Sequence, residues 1–299
     1  MGKYLKKFEL TSKYEEYINS NMTIFPNVSI IKDINGIHYN PIHDYSQDYL
    51  TFVAKEDGTF KFSGNSINYS VDDGETWTTL PSNTDTPAIQ ARNKIMFKAT
   101  LISQDSNGIG TFSSTGKFTA QGNVMSLIYG DDFIGQKDLT GKDYVFYDLF
   151  NGCTGLTNAK NLCLPATTLT NSCYNSMFNG CTSLTIAPEL PATTLANNCY
   201  SGMFNGCTNL NYIKMLATDI SATDCLYNWV IGVSSTGTFV KHPNMTSLST
   251  GTSGIPTGWT VYTEDEYKHI NNTGSSSISS ISNEDIDTVW NNIFNNKNN

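Results

Sequence analysis

The middle of this chain repeats itself, and the repetition limits the architectures open to it. Phe150-Asn151-Gly152-Cys153-Thr154 returns as Phe178-Asn179-Gly180-Cys181-Thr182 and again as Phe204-Asn205-Gly206-Cys207-Thr208. Leu164-Pro165-Ala166-Thr167-Thr168-Leu169 returns as Leu190-Pro191-Ala192-Thr193-Thr194-Leu195, a step of 26 residues (164 to 190), and Cys173, Cys199 and Cys225 keep that step. A fixed period of this length marks stacked units, each of which buries its apolar face only against its neighbours. Within a unit, Cys199, Met203 and Cys207 fall at i, i+4 and i+8, the spacing of one face of a short helix. Gly206 then stands where a helix needs a left-handed exit. Leu184-Thr185-Ile186 reads as a short strand that Pro188 ends. The expected coil is one strand, one Thr-rich polar corner and one helical turn.

The N-terminal cover of the stack is expected at Gly122 to Gly130, and the C-terminal cover at Gly237 to Thr263, with Phe239-Val240 and Trp259-Thr260-Val261 as closing strands. Taken together, Cys-Thr-Ser-Leu-Thr at 181–185, Pro-Ala-Thr-Thr-Leu, Met-Phe-Asn-Gly-Cys and the ending Gly254-Ile255-Pro256-Thr257-Gly258-Trp259-Thr260-Val261 resemble the BspA-like leucine-rich repeats of gut-bacterial surface proteins. The resemblance covers residues 122–263. It implies a leucine-rich-repeat solenoid with a surface or adhesive role, and it implies no enzymatic activity.

All seven cysteines lie between 153 and 225. Six form two columns in the repeats, and Cys163 stands apart. Stacked equivalents have parallel side-chain directions, which suits buried free thiols better than disulfides and fits a reducing cytoplasm. The net charge of −9 argues against nucleic acid, which wants a basic face. No apolar run reaches the roughly 18 residues that a membrane-spanning helix needs. The opening Met1-Gly2-Lys3-Tyr4-Leu5-Lys6-Lys7-Phe8-Glu9 has basic residues but lacks the apolar centre of a secretory signal, so export by that route is not expected.

Residues 46–121 read as a small β-sandwich, from short alternating runs such as Leu50-Thr51-Phe52-Val53 and Lys94-Ile95-Met96-Phe97 separated by turn signals at Asp57-Gly58 and Asn107-Gly108. Inside it, Ser70-Val71-Asp72-Asp73-Gly74-Glu75-Thr76-Trp77 is similar to the Asp-box hairpin of sialidases and related propellers. Its mechanics are those of a turn, with Trp77 packed beneath. A sialidase-type site grips its substrate with several arginines, and this chain has one, Arg92. The enzyme reading fails on that inventory.

Residues 1–45 read as a docking segment. Ser12-Lys13-Tyr14-Glu15 is a capping box opening a short helix, and Asn35-Gly36 is the turn of a hairpin between Val28-Ser29-Ile30-Ile31 and Ile37-His38-Tyr39. Pro26-Asn27-Val28-Ser29 and Tyr39-Asn40-Pro41 resemble the N-termini of structural proteins in phages that infect gut bacteria. Residues 264–299 read as a Ser-rich linker and a C-terminal helix whose Ile286, Val289, Trp290, Ile293 and Phe294 form one apolar stripe. Such a stripe calls for a partner surface.

The histidines His38, His43, His242 and His269 lack metal-ligand spacing, and no phosphate loop or nucleophile elbow occurs. The acidic runs Asp131-Asp132 and Glu264-Asp265-Glu266 read as solvated caps at module edges, with a calcium site as the alternative. The expectation is therefore a multidomain, β-dominated, non-enzymatic chain: a β-sandwich, then a short leucine-rich-repeat solenoid, with docking segments at both ends. Its expected role is a phage virion structural protein (appendage, fibre or decoration), assembled in the host cytoplasm, with no cofactor and no metal. A bacterial cell-surface adhesin is the alternative, and a glycan-acting enzyme the third. The expected partners are other virion proteins (capsid, portal or tail components), a host-surface glycan or protein, and further copies of the chain as a homo-oligomer such as a trimer. Neither nucleic acid nor membrane is expected. Candidate surface contacts are Thr167, Thr168, Thr193 and Thr194, which repeat as an exposed ladder. Candidate docking residues are Tyr14, Ile286, Val289, Trp290, Ile293 and Phe294.

Overall fold

A computed structural model describes residues 28–33, 36–41, 43–103 and 105–273. The chain divides into two compact units, Met1–Asp44 with Ser279–Asn299, and Tyr45–Ile278. In the first unit, strands β1 (Val28–Asp33) and β2 (Gly36–Pro41) pair antiparallel. The last pair is Asp33 with Gly36, so Gly36 belongs to the strand and not to the turn where the sequence pattern put it.

The second unit is β-dominated. Its strands are β3 (Leu50–Ala54), β4 (Phe60–Phe62), β5 (Ile67–Ser70), β6 (Thr78–Leu80), β7 (Lys94–Lys98), β8 (Phe112–Ser114), β9 (Phe118–Asn123), β10 (Leu156–Cys163), β11 (Ile186–Leu190), β12 (Tyr212–Met215), β13 (Thr238–Lys241) and β14 (Thr260–Thr263). The helices are α1 (Ser126–Tyr129) and α2 (Glu264–Thr273). Three sheets result: a six-stranded one in the order β10-β9-β3-β7-β5-β6, a parallel four-stranded one in the order β11-β12-β13-β14, and the pair β4-β8. Alternation along β3 and β9 turns Phe52, Ala54, Phe118 and Ala120 into the core. There Phe52 meets Phe60, Phe97, Phe112 and Phe118 at ring-centre distances of 4.7 to 5.2 Å. One hydrophobic core runs without a break from Leu50 to Trp259.

The parallel ladders do not form one continuous solenoid sheet. Strand β10 pairs with β9 in the six-stranded sheet, whereas β11 opens the separate four-stranded one. Position 121/122, where the strand pattern and the repeat resemblance put a boundary, falls inside β9. Pro188 lies within β11 instead of ending it. This is permitted because β11 is an edge strand with a register shift between Ile186 and Glu189.

The repeats register on one another through their backbones. The segment expected to be helical is a row of tight turns with a left-handed residue at every fourth position: Asn198, Gly202 and Gly206 in one repeat, Asp224, Asn228 and Gly232 in the next. Its N–H groups alternate in direction. Met203, Asn205 and Cys207 donate to the carbonyl three residues back, while Tyr200, Gly202, Phe204 and Gly206 donate to Cys225, Tyr227, Trp229 and Ile231 of the following repeat. The repeat at 172–180 donates in the same way to 197–205, and the segment 144–152 to 171–179. An α-helix would keep all these bonds to itself. Here half of them join neighbours, and the i, i+4, i+8 apolar face arises from a four-residue turn period, not from 3.6 residues per turn.

The side chains follow the same registration. Phe150 and Phe178 stack at 5.4 Å and 7°, Phe178 and Phe204 at 5.6 Å and 14°, and Trp229 continues the column 5.9 Å from Phe204. At the other end Phe150 stacks on Phe112 at 5.8 Å and 22°, which ties the column to the core of the six-stranded sheet. A second column holds Phe146, Tyr174 and Tyr200. In it the Tyr174 hydroxyl is buried without a hydrogen-bond partner. An orphaned buried hydroxyl is destabilising, and burial also pushes the phenol well above its usual pKa. Tyr174→Phe is therefore expected to raise the unfolding free energy by about 1 kcal/mol, measured by urea denaturation.

Candidate functional site

The threonine corners lie at the surface, with Thr167, Thr168, Thr193 and Thr194 all exposed. Their backbones are fixed. The N–H groups of Thr167 and Thr168 both donate to the Lys137 carbonyl (2.9 and 3.2 Å), and the Thr193 carbonyl accepts from Thr218 (2.8 Å) and Asp219 (3.0 Å). Asp138 and Asp219 close the adjoining corners by accepting the N–H of Thr140 (2.7 Å) and Ser221 (3.0 Å). Those hydrogen bonds hold both carboxyls below the usual range. The docking residues Tyr14, Ile286, Val289, Trp290, Ile293 and Phe294 lie outside the described residues.

The Asp-box forms the β5–β6 connection. Asp72 accepts from the Ser70 hydroxyl (2.7 Å), the Thr76 N–H (3.0 Å) and the Thr76 hydroxyl (2.5 Å). These bonds, that of Thr76 foremost, lower its pKa to about 2. The folded hairpin thus favours the carboxylate. Its contribution is complete above the ordinary value of 3.8 and is lost as pH falls towards 2. The protection of the Gly74 and Thr76 amides, relative to unfolded-peptide exchange at the same pH, should fall over that interval, and Asp72→Asn should remove this change in protection.

The tryptophan of this box belongs to a clamp that the sequence reading did not assemble. The Trp77 ring lies edge-on to Tyr49 at 4.9 Å, and the Lys98 ammonium sits 4.3 Å from the Trp77 ring centre. Asp131 receives both the Lys98 ammonium (2.7 Å) and the Tyr49 hydroxyl (2.6 Å). Burial, reinforced by Asp131, pushes the Tyr49 phenol up to about 12, while Lys98 and Tyr49 lower the Asp131 carboxyl. The acidic run at 131–132 is therefore not merely solvated. Asp131 ties the segment after α1 to Lys98 of β7 and to Tyr49, the residue before β3.

The thiols are placed for packing. None of the seven cysteines is in a disulfide, and six are buried. The Cys181 and Cys207 thiols donate to the Phe150 and Phe178 carbonyls of the preceding unit, each at 3.0 Å. Burial pushes Cys153 up to about 11 and Cys173 and Cys207 up to about 12, so the nucleophilic thiolate is suppressed. Titration with an aromatic disulfide at pH 8 should modify one thiol, the partly exposed Cys163, in the native protein and all seven after denaturation. Among the described residues, no group of three or more His, Cys, Asp or Glu side chains is arranged to hold a metal ion. Nor is any helix there long and apolar enough to cross a membrane.

The outer face of β3, β9 and β10 carries a shallow concave surface. Two adjoining depressions of about 330 and 470 Å³ share Lys55, Thr119 and Asn158. The first extends over Gln121, Lys160 and Asn161, and the second over Lys117, Thr157, Thr185 and Asn209. Register shifts in β10, between Leu156 and Asn158 and between Asn158 and Asn161, distort the sheet where the depressions meet. The sequence reading missed this surface, because its three lysines come from separate segments that only the order β10-β9-β3 brings together. Comparisons with protein-family models, with curated proteins and with solved structures find no match to this chain.

Proposed function

We propose that this chain is a non-enzymatic phage virion protein of the appendage, fibre or decoration type, which presents its repeat region to the host surface or to the particle surface. The observation that carries this reading is the in-register stacking of the repeats. Each unit donates backbone N–H groups to the next and aligns its aromatic rings with it, so the exposed side chains are held at regular positions on a stiff support. In this reading residues 122–263 form a short leucine-rich-repeat-like stack of the BspA type with its caps, residues 46–121 a β-sandwich-like domain, and residues 1–45 and 283–294 dock the protein in a homo-oligomer or onto other virion proteins. The free thiols support assembly in the reducing host cytoplasm. The resemblance of Pro26-Asn27-Val28-Ser29 and Tyr39-Asn40-Pro41 to phage structural N-termini supports the virion setting. Peptide mass spectrometry of gradient-purified particles tests it. Peptides of this chain at a stoichiometry constant from batch to batch are expected, and their absence from intact particles would overturn the reading.

A further inference from the structure

The groove over β3, β9 and β10 combines features that point to one class of ligand. The chain carries 27 acidic and 18 basic residues, yet Lys55, Lys117 and Lys160 gather on this one surface. Lys117 pairs with Glu56 at 3.2 Å. Neither Lys55 nor Lys160 has a carboxylate partner among the described residues, so two exposed ammonium groups are left to offer charge to a ligand.

Between and beyond the lysines the lining is hydroxyl and amide. Thr119 and Thr157 come from the parallel pair β9 and β10, and Thr185 follows one step on, its N–H donating to the Thr157 carbonyl at 3.0 Å, so a spacing of about 4.8 Å sets the repeat of the row. The Thr157 hydroxyl donates to the Phe118 carbonyl (2.8 Å) and the Thr185 hydroxyl to the Thr157 carbonyl (2.9 Å). With their protons committed inward, these oxygens are left as acceptors for a ligand's hydroxyl groups. The Asn209 amide commits one N–H to the Thr182 carbonyl (2.7 Å), which leaves its oxygen as an acceptor and its second N–H as a donor. A row of acceptors flanked by ammonium groups matches an extended polymer that carries many hydroxyls and occasional anions.

We infer that this groove binds an acidic polysaccharide chain, its carboxylate or sulfate groups engaging Lys55 and Lys160 and its hydroxyls the row from Thr119 to Asn209. A single-stranded nucleic acid fits less well. No aromatic side chain lines the groove to stack bases. The inference names a ligand class for the surface-presenting role proposed above and takes its biological setting from that role. Binding to purified glycans is measured without particles, so either idea can fail alone.

Calorimetric titration of the full chain with galacturonate, hyaluronate and chondroitin sulfate oligosaccharides, beside neutral dextran and oligo-dT of matched length, tests it. At least one acidic glycan should bind, with dextran and oligo-dT weaker. Lys55→Glu with Lys160→Glu should weaken that binding about tenfold or more, the scale of two lost charge-assisted contacts. Lys61→Glu with Lys94→Glu makes the same charge change at lysines already paired with Asp85 and Asp73, and should leave binding nearly unchanged. Binding of none of the acidic glycans, equal losses in the two double variants, or oligo-dT binding as tightly as the glycan would each overturn the assignment.

Discussion

Phe204→Ala should lower the unfolding free energy by about 3–5 kcal/mol, among the largest losses for a single side chain in this protein. The ring is fully buried, stacked on Phe178 at 5.6 Å and 5.9 Å from Trp229. Its removal interrupts a column that begins at Phe112 in the six-stranded sheet. The cavity has little room to collapse. The Phe204 N–H is bonded to Trp229 and the Phe178 N–H to Met203, so the flanking units cannot close on the gap without giving up inter-repeat hydrogen bonds. Met203→Ala, at a neighbouring position that is also fully buried, should cost about 2–5 kcal/mol for the same reason. Urea denaturation of both variants checks this. A loss below about 0.5 kcal/mol, the range of ordinary surface substitutions, would remove the stacked column from the account.

Gly122→Ala should be comparably damaging, by about 2–6 kcal/mol, combining left-handed backbone strain with overpacking. Gly122 has φ +80°, and a Cβ there would lie 2.0 Å from the Tyr49 carbonyl oxygen. At this point β9 is joined to neighbours on both sides, with Leu162 opposite Gly122 and Tyr49 bridged to Asn123. The backbone therefore has nowhere to shift. Gly180→Ala provides the contrast. It has a similar φ of +71°, but the added Cβ would meet Gly152 at an ordinary 3.6 Å. It should cost only the left-handed penalty of about 1–2 kcal/mol. Equal melting of the two variants would show that the approach of Tyr49 to Gly122 does not constrain the fold.

The repeats were legible in the sequence because their period and buried columns are written in identical phrases. The cysteine, methionine and phenylalanine positions read as packing are the ones that stack. What the spacing concealed was the backbone. A four-residue period of apolar side chains reads as a helix when 3.6 is the only short period considered. The discriminating signal was nevertheless present: Asn198, Gly202, Gly206, Asp224, Asn228 and Gly232 are residue types that tolerate the left-handed region, spaced four apart. A helix was missed where the acidic run was read as a solvated edge. Thr263 and Glu266 form a capping box at the start of α2, with the Thr263 N–H donating to the Glu266 carboxylate at 2.7 Å. Glu264 also pairs with Lys214 at 2.9 Å, beside Glu189 on the same lysine. The clamp at Asp131 and the groove over β3, β9 and β10 were not legible for a different reason. Each joins residues from strands distant in sequence, and no local pattern encodes the order in which those strands pair.

The six-stranded sheet and the repeats are a single mechanical body, joined through β9, β10 and the Phe112–Phe150 contact. Native-state hydrogen exchange of the full chain, followed by mass spectrometry across a denaturant series, measures this directly. The slowest amides of β3 and β7 and the inter-repeat amides of Phe178, Tyr200 and Phe204 should converge on one opening free energy. A separate, lower-energy opening of the repeats, with β3 and β7 still protected, would contradict it.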